Sequence, residues 1–253
     1  MRKPQLLQGL SIGLLVLSMP PASSAGVFIN ITVAPPPLPV YVQPPCPTDG
    51  YLWNPGYWAY GDAGYYWVPG VWVAPPSVGL LWTPPYWGFA GGIYGFHAGY
   101  WGPHVGFYGG VNYGFGYGGV GFAGGAWQGG HFAYNTAVTR VNTTVIHNTY
   151  NRTVVVNNNH TSFNGPGGIT ARPTPAEMAA SHEQHVAPTP MQASHERGAA
   201  RQVAANHPPA AARQAENRPQ PQAHEARPQP QAHEAKPQQA PRPAPHEAHE
   251  REK

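Results

Sequence analysis

Histidine beside carboxylate is the most reactive pattern in this chain, and it is concentrated in the last third. His182, His185, His195, His207, His224, His233, His246 and His249 lie there, several of them directly before Glu, as in His246-Glu247-Ala248-His249. Neutral imidazoles next to carboxylates can bind Zn²⁺, Cu²⁺ or Ni²⁺. His182, His185, His246 and His249 are therefore the candidate metal ligands. None of them makes the His-Glu-x-x-His spacing of a metalloprotease helix, since His182 and His185 are only three apart. The chemistry on offer is metal capture rather than hydrolysis. The competing reading is a solvated tail whose positive charge rises below about pH 6.5.

The other groups with chemical potential are sparse. Cys46 is the single cysteine, so no internal disulfide can form, and it sits between Pro45 and Pro47 with no identifiable catalytic partner. Between residues 26 and 170 the formal charges are four, Asp49, Asp62, Arg140 and Arg152. General acid and base work needs an ionisable group held near a partner. Asp49 and Asp62 both stand in turn sequence near Gly, where Asp commonly caps its own backbone. His97, His104 and His131 match no metal-site spacing. The sequence thus predicts a protein that is not an enzyme and needs no cofactor.

What must position these groups is a tandem repeat. Trp53-Asn54-Pro55-Gly56-Tyr57-Trp58 is followed by Trp67-Val68-Pro69-Gly70-Val71-Trp72, then by Trp82-Thr83-Pro84-Pro85-Tyr86-Trp87 and Phe96-His97-Ala98-Gly99-Tyr100-Trp101, with starts 14, 15 and 14 residues apart. Pro suits the second position of a tight turn and Gly the positive φ of a type II turn. Each copy is therefore predicted to be a hairpin whose two tryptophans face each other across the Pro-Gly corner. Facing aromatic pairs add roughly 0.2 to 1 kcal/mol each to strand pairing. Several hairpins joined are stable where one is marginal. Gly61-Asp62-Ala63-Gly64 supplies a return turn between the first two copies.

On these motifs the chain resembles the YXWGXW (WXXGXW) repeat proteins. The match rests on the copies at 53 to 58 and 67 to 72, with Pro85, Phe96 and Ala98 departing from the pattern in the later two. The resemblance implies an exported bacterial protein with a signal peptide, and it carries no catalytic residues over.

The remaining segments divide by composition. Residues 1 to 25 have the layout of a secretory signal peptide: Arg2 and Lys3, an apolar run from Leu6 to Leu17, and the small-residue exit Ser23-Ser24-Ala25. The run is too short to span a bilayer and stops at Pro20-Pro21, so no stable transmembrane segment is expected after cleavage. Removing Arg2 and Lys3 leaves 12 basic against 11 acidic side chains. That balance gives no electrostatic case for nucleic acid. Residues 26 to 49 read as a strand followed by a proline-rich extended spacer, and 50 to 104 as the repeat region. Residues 105 to 135 interleave Gly with aromatics, which gives either strands with rings on one face or mobile sequence. Residues 136 to 170, rich in Asn, Thr and Val, read as two strands at a nine-residue repeat, 141 to 148 and 150 to 157. Residues 171 to 253 read as a largely disordered tail. Capping boxes at Thr174-Pro175-Ala176-Glu177 and Thr189-Pro190-Met191-Gln192 open two short helices there, with little to bury.

The fold class predicted is mainly β, a small antiparallel meander of Trp-rich hairpins. The function predicted is that of a non-catalytic protein of the periplasm, cell envelope or extracellular space. Trp53, Trp58, Trp67, Trp72, Trp82, Trp87 and Trp101 would form an aromatic surface for another envelope protein or for self-association. The alternatives are recognition of a cell-wall glycan through Trp53, Trp58, Trp67, Trp72 and Trp82, for which packing of the same rings in a core is the competing reading, and divalent metal binding by the histidine-rich tail.

Overall fold

The computed structural model describes residues 31 to 155 and 159 to 206. The expected signal peptide, and His246 and His249, lie outside the described residues. The chain is mainly β and is built from small antiparallel hairpin sheets.

The pairing of those strands differs from one hairpin per motif copy. β1 (Leu52–Asn54) pairs not with its neighbour β2 (Tyr57–Gly61) but with β4 (Val71–Val73), while β2 pairs with β3 (Gly64–Val68). Trp53 therefore stands opposite Trp72, and Trp58 opposite Trp67. The next two copies repeat the nesting: β5 (Leu81–Thr83) pairs with β8 (Tyr100–Gly102), and β6 (Tyr86–Ala90) with β7 (Ile93–His97). Two copies make one long hairpin, turned at Gly61–Gly64 or at Ala90–Ile93. The chain does not reverse at Pro-Gly. One register runs through both halves of each hairpin, which sets Pro55-Gly56 against Pro69-Gly70. Proline has no N–H for a ladder, so both strands lose their bonds at the same place and the hairpin kinks.

The Gly of the motif is likewise not there for a positive φ, which Gly56, Gly70 and Gly99 do not adopt. It is there for room. A Cβ on Gly56 would come closer than 3.0 Å to the Trp67 ring, and one on Gly70 closer than 3.0 Å to the Trp53 ring. The first tryptophan of each copy lies over the glycine of the other.

The flanking segments pack onto this frame. The proline-rich stretch runs extended, without a strand, and turns Leu38, Gln43 and Cys46 inward. Its carbonyls accept indole N–H groups, Pro44 O from Trp72 at 2.9 Å and Pro37 O from Trp58 at 3.2 Å. The glycine-aromatic segment is not one flat strand. It forms β9 (Asn112–Gly114), β10 (Tyr117–Gly118), β11 (Gly125–Gln128) and β12 (His131–Asn135). Left-handed glycines such as Gly109, Gly110 and Gly119 fold it tightly enough to bury Tyr108, Tyr113, Tyr117, Phe132 and Tyr134.

Among the described residues, the two strands expected at 141 to 148 and 150 to 157 do not form as such. The Asn142 side chain accepts from Thr144 N–H at 3.0 Å and its carbonyl from Ile146 N–H at 2.9 Å, which makes a local turn where β-propensity alone predicts a strand. Among the described residues only β13 (Thr149–Tyr150) pairs here, parallel to β12, and β14 (Phe163–Asn164) adds parallel to β6.

Both capping boxes open helices: α1 (Pro175–Ala180) and α2 (Pro190–Asn206). Residues 171 to 206 are therefore ordered and docked, rather than part of a disordered tail. Glu177 and Ala180 of α1 and Ala199 of α2 are buried.

Candidate functional site

A broken ladder exposes backbone polar groups, and buried ones must find partners. The partners here come from three flanking segments. Gly56 N–H donates to the Tyr41 hydroxyl of the proline-rich stretch at 3.2 Å. The Tyr113 and Tyr117 hydroxyls donate to Pro85 O and Trp82 O. His195 of α2 reaches Pro69 O through Nε2 at 2.8 Å. The kinks thus serve as docking points for the rest of the chain. Burial raises the ionisation of Tyr41 to about 12, and it also pushes Tyr113 and Tyr117 well above the ordinary phenol value. All three phenols stay protonated at neutral pH, so Tyr113 and Tyr117 remain donors while the Tyr41 oxygen accepts.

Where the kinks of the two hairpins approach each other, α2 lies across them and closes a cavity of about 260 Å³. Pro55, Tyr57, Val68 and Pro69 come from the first hairpin, and Trp82, Pro85, Phe96, Ala98 and Gly99 from the second. The polar wall is Gln192, His195 and Glu196 of α2, with Asn54 of β1. Tyr57 and Phe96 stack with centroids 6.1 Å apart. Burial, then the charge and hydrogen bond of Glu196, hold the Tyr57 phenol protonated.

The helix is anchored there by its own cap. Gln192 Oε1 accepts from Thr189 N–H at 2.7 Å, closing the capping box, and from Trp101 Nε1–H at 2.8 Å. Just upstream, Val186 and Trp101 exchange two backbone bonds of 2.8 Å, and His104 Nδ1 meets Glu183 Oε1 at 2.7 Å.

Residues 49 to 73 match the WXXGXW repeat, in two copies. The chain carries the WXXGXW repeat. No curated protein and no solved structure matches the chain. The matched residues are the first long hairpin, from just before β1 to the end of β4, so the two copies found are the two halves of one nested unit. In the second unit Pro85 takes the place of Gly56 and Phe96 the place of Trp67. Those two departures fall on one contact of the WXXGXW repeat: where the glycine is lost, the ring that would lie over it is the smaller one.

The tryptophans of the repeat are paired, but they are core. Trp53 and Trp72 lie 5.3 Å apart, Trp58 and Trp67 5.4 Å, Trp82 and Trp101 5.2 Å, and Trp87 packs on Phe96 at 5.0 Å. Trp53, Trp72, Trp82, Trp87 and Trp101 are all buried, and only Trp58 and Trp67 are half-buried. The expected exposed aromatic surface is corrected accordingly for these five rings, two of which, Trp53 and Trp82, fill the space over Gly70 and Gly99.

The histidines of the sequence reading are used locally. His185 stacks on Tyr100 at 3.7 Å and its Nε2 faces Ala180 O at 3.0 Å. Among the described residues no group of three metal-ligating side chains assembles, so His182 and His185 gain no further ligand there. Asp49 accepts from Gly50 N–H at 3.0 Å in an exposed turn. Asn54, Tyr57 and Gln192 carried no functional expectation, and His195-Glu196 stood only in the histidine-carboxylate pattern read as metal capture. The signal available for Gln192 was its place in a capping box; nothing local marks Asn54 or Tyr57.

Proposed function

We propose that this is a non-catalytic, exported envelope protein that binds another protein or a second copy of itself through the groove between the kinked hairpins and α2. The supporting observation is the lining of that groove, where prolines and ring faces meet one polar wall supplied by a helix. Concave, mostly apolar surfaces with a few placed polar groups are what binding sites present. Its ionisable groups are already engaged with their surroundings, His195 on Pro69 O and Glu196 on Tyr57, which suits recognition better than proton transfer.

The test is capture. Mature protein, immobilised and washed with an envelope fraction of its own source, is expected to retain a defined protein, or else to sediment as a concentration-dependent oligomer. A strictly monomeric chain that retains nothing refutes the reading. Glycan binding through the tryptophans is left with Trp58 and Trp67 alone, since the other rings are buried. Quenching of intrinsic fluorescence by cell-wall glycans, lost in Trp58→Ala, would favour it instead.

A further inference from the structure

The indole N–H groups are not all spent alike. Those of Trp58, Trp72, Trp87, Trp101 and Trp127 donate inside the chain, to Pro37 O, Pro44 O, Trp58 O, Gln192 Oε1 and Leu80 O. That of Trp53 is sealed in the core. Among the described residues this leaves Trp67 and Trp82, whose indole donors have no acceptor and are not sealed. Each borders a cavity, Trp82 the groove under α2 and Trp67 a hollow of about 170 Å³ against the proline-rich stretch.

The lining of the Trp67 hollow is uniform in charge. Leu38, Val40 and Tyr41 line it together with Gly56, against which the Cε2–Cζ2 edge of the indole lies, so Nε1 is beside the same glycine. Asn159 and His160 add exposed polar side chains. Asn159 Oδ1 accepts from Thr161 N–H at 2.8 Å, which leaves the Nδ2 donors open, and the His160 ring has no partner among the described residues. The segment is held there by Leu38 N–H, which donates to His160 O at 2.7 Å. Asn159 and His160 also line a hollow of about 350 Å³ with Pro37, Thr161 and Gly167. No Asp, Glu, Lys or Arg lines either space.

An occupant must therefore be uncharged, since an ion taken out of water here meets no counter-ion. It must carry polar groups at its rim, where three open polar side chains meet it, and an apolar body for the rings and aliphatic groups between them. A pyranose has both. Its hydroxyls project around the ring, and its C–H bonds point from the two faces toward the negative faces of aromatic rings. We propose that the Trp67 hollow is a subsite for a neutral glycan, with Trp67 Nε1–H and Asn159 Nδ2–H donating to hydroxyl oxygens and the His160 ring bonded to a third. The smaller space takes one sugar ring, and the larger, shared through Asn159 and His160, takes the next. This rests on the glycan reading above and narrows it to one tryptophan, because Trp58 has already spent its donor on Pro37 O.

The experiment titrates the full chain at pH 7 with cellobiose and with N,N′-diacetylchitobiose, following the indole N–H resonances of its eight tryptophans by NMR. Saturable binding in the millimolar range is expected, with the Trp67 resonance moving and those of Trp58, Trp72, Trp87 and Trp101, held in internal bonds, staying in place. Asn159→Ser, which keeps an acceptor for Thr161 N–H, and His160→Ala are both at exposed positions. Each is expected to weaken binding about five-fold, the worth of one neutral hydrogen bond. Cyclohexanol, a ring of the same size with a single hydroxyl, is expected to leave the resonance unmoved. An equal shift with cyclohexanol, or undiminished binding in both variants, overturns the proposal. Sugars that bind but move Trp58 or Trp82 instead overturn this site and leave glycan binding standing. No movement of any indole resonance overturns both.

Discussion

Trp67 lies over the α-carbon of Gly56 so closely that a Cβ there would come within 3.0 Å of two indole carbons and of Val68 O. Gly70 stands in the same relation to Trp53, and Gly99 to Trp82. The motif is a pair of ring-over-glycine contacts shared between two copies, which explains why Trp and Gly are its fixed letters.

Gly56→Ala is accordingly expected to destabilise the fold by roughly 1–3 kcal/mol, the usual cost of overpacking. Trp67→Phe in the same chain should recover part of that loss, because the second hairpin already combines a larger residue, Pro85, with Phe96. Denaturant unfolding of both single variants and the double variant gives the coupling. Additivity within about 0.3 kcal/mol would contradict a shared contact.

Tyr113→Phe removes the donor to Pro85 O while keeping the ring. A buried carbonyl left without a partner costs about 1–3 kcal/mol, and the same loss is expected for Tyr117→Phe through Trp82 O. Unfolding free energies measured at neutral pH check both.

These phenols also set an alkaline limit. Burial raises the ionisation of Tyr108, Tyr113, Tyr117 and Tyr134 above the ordinary value of 10.0. For an acid whose folded value is raised, the stabilisation is complete below the unfolded value and is lost as pH climbs above it toward the folded one. Stability should hold to about pH 10 and then fall, with the 295 nm absorbance of these tyrosines appearing together with loss of near-ultraviolet dichroism. Ionisation of all tyrosines near pH 10 in a still-folded protein would count against the packing described.

Cys46 is 5% exposed, and burial raises its thiol above the ordinary value. Thiolate is the reactive form. A disulfide reagent at pH 8 should label the unfolded chain rapidly and the native one slowly.

Gln192→Ala removes one oxygen that serves both the α2 cap and the Trp101 indole. Loss of such a cap costs about 1 kcal/mol, and amide exchange should quicken through the first turn of α2 and at Trp101 and Val186. Unchanged exchange at Val186 would show that the helix is held by other contacts.

Fold class, the motif, the return turn at Gly61–Gly64 and both helix starts were legible in the sequence, because each is written in neighbouring residues. Partner choice was not. A Trp-x-Pro-Gly-x-Trp copy satisfies the local rules for a turn, and only the register of the distant copy shows that Pro-Gly interrupts a strand. The groove was hidden for the same reason, since Asn54 and Glu196 reach it from elements far apart in the chain. The turn at Asn142 outweighed the β-propensity of Val and Thr through one side-chain acceptor. The order of residues 171 to 206 came from contacts, Trp101 with Val186 and Gln192, that a poorly apolar helix does not advertise.

The nested pairing also limits how such a molecule can lengthen. From Trp53 to Trp82 is 29 residues, the span of a complete unit, whereas half that length encodes strands with nothing opposite them. A duplication of a single motif would leave an unmatched edge open to neighbouring chains, while a doubled insertion closes on itself. Growth by even numbers is what keeps every strand matched.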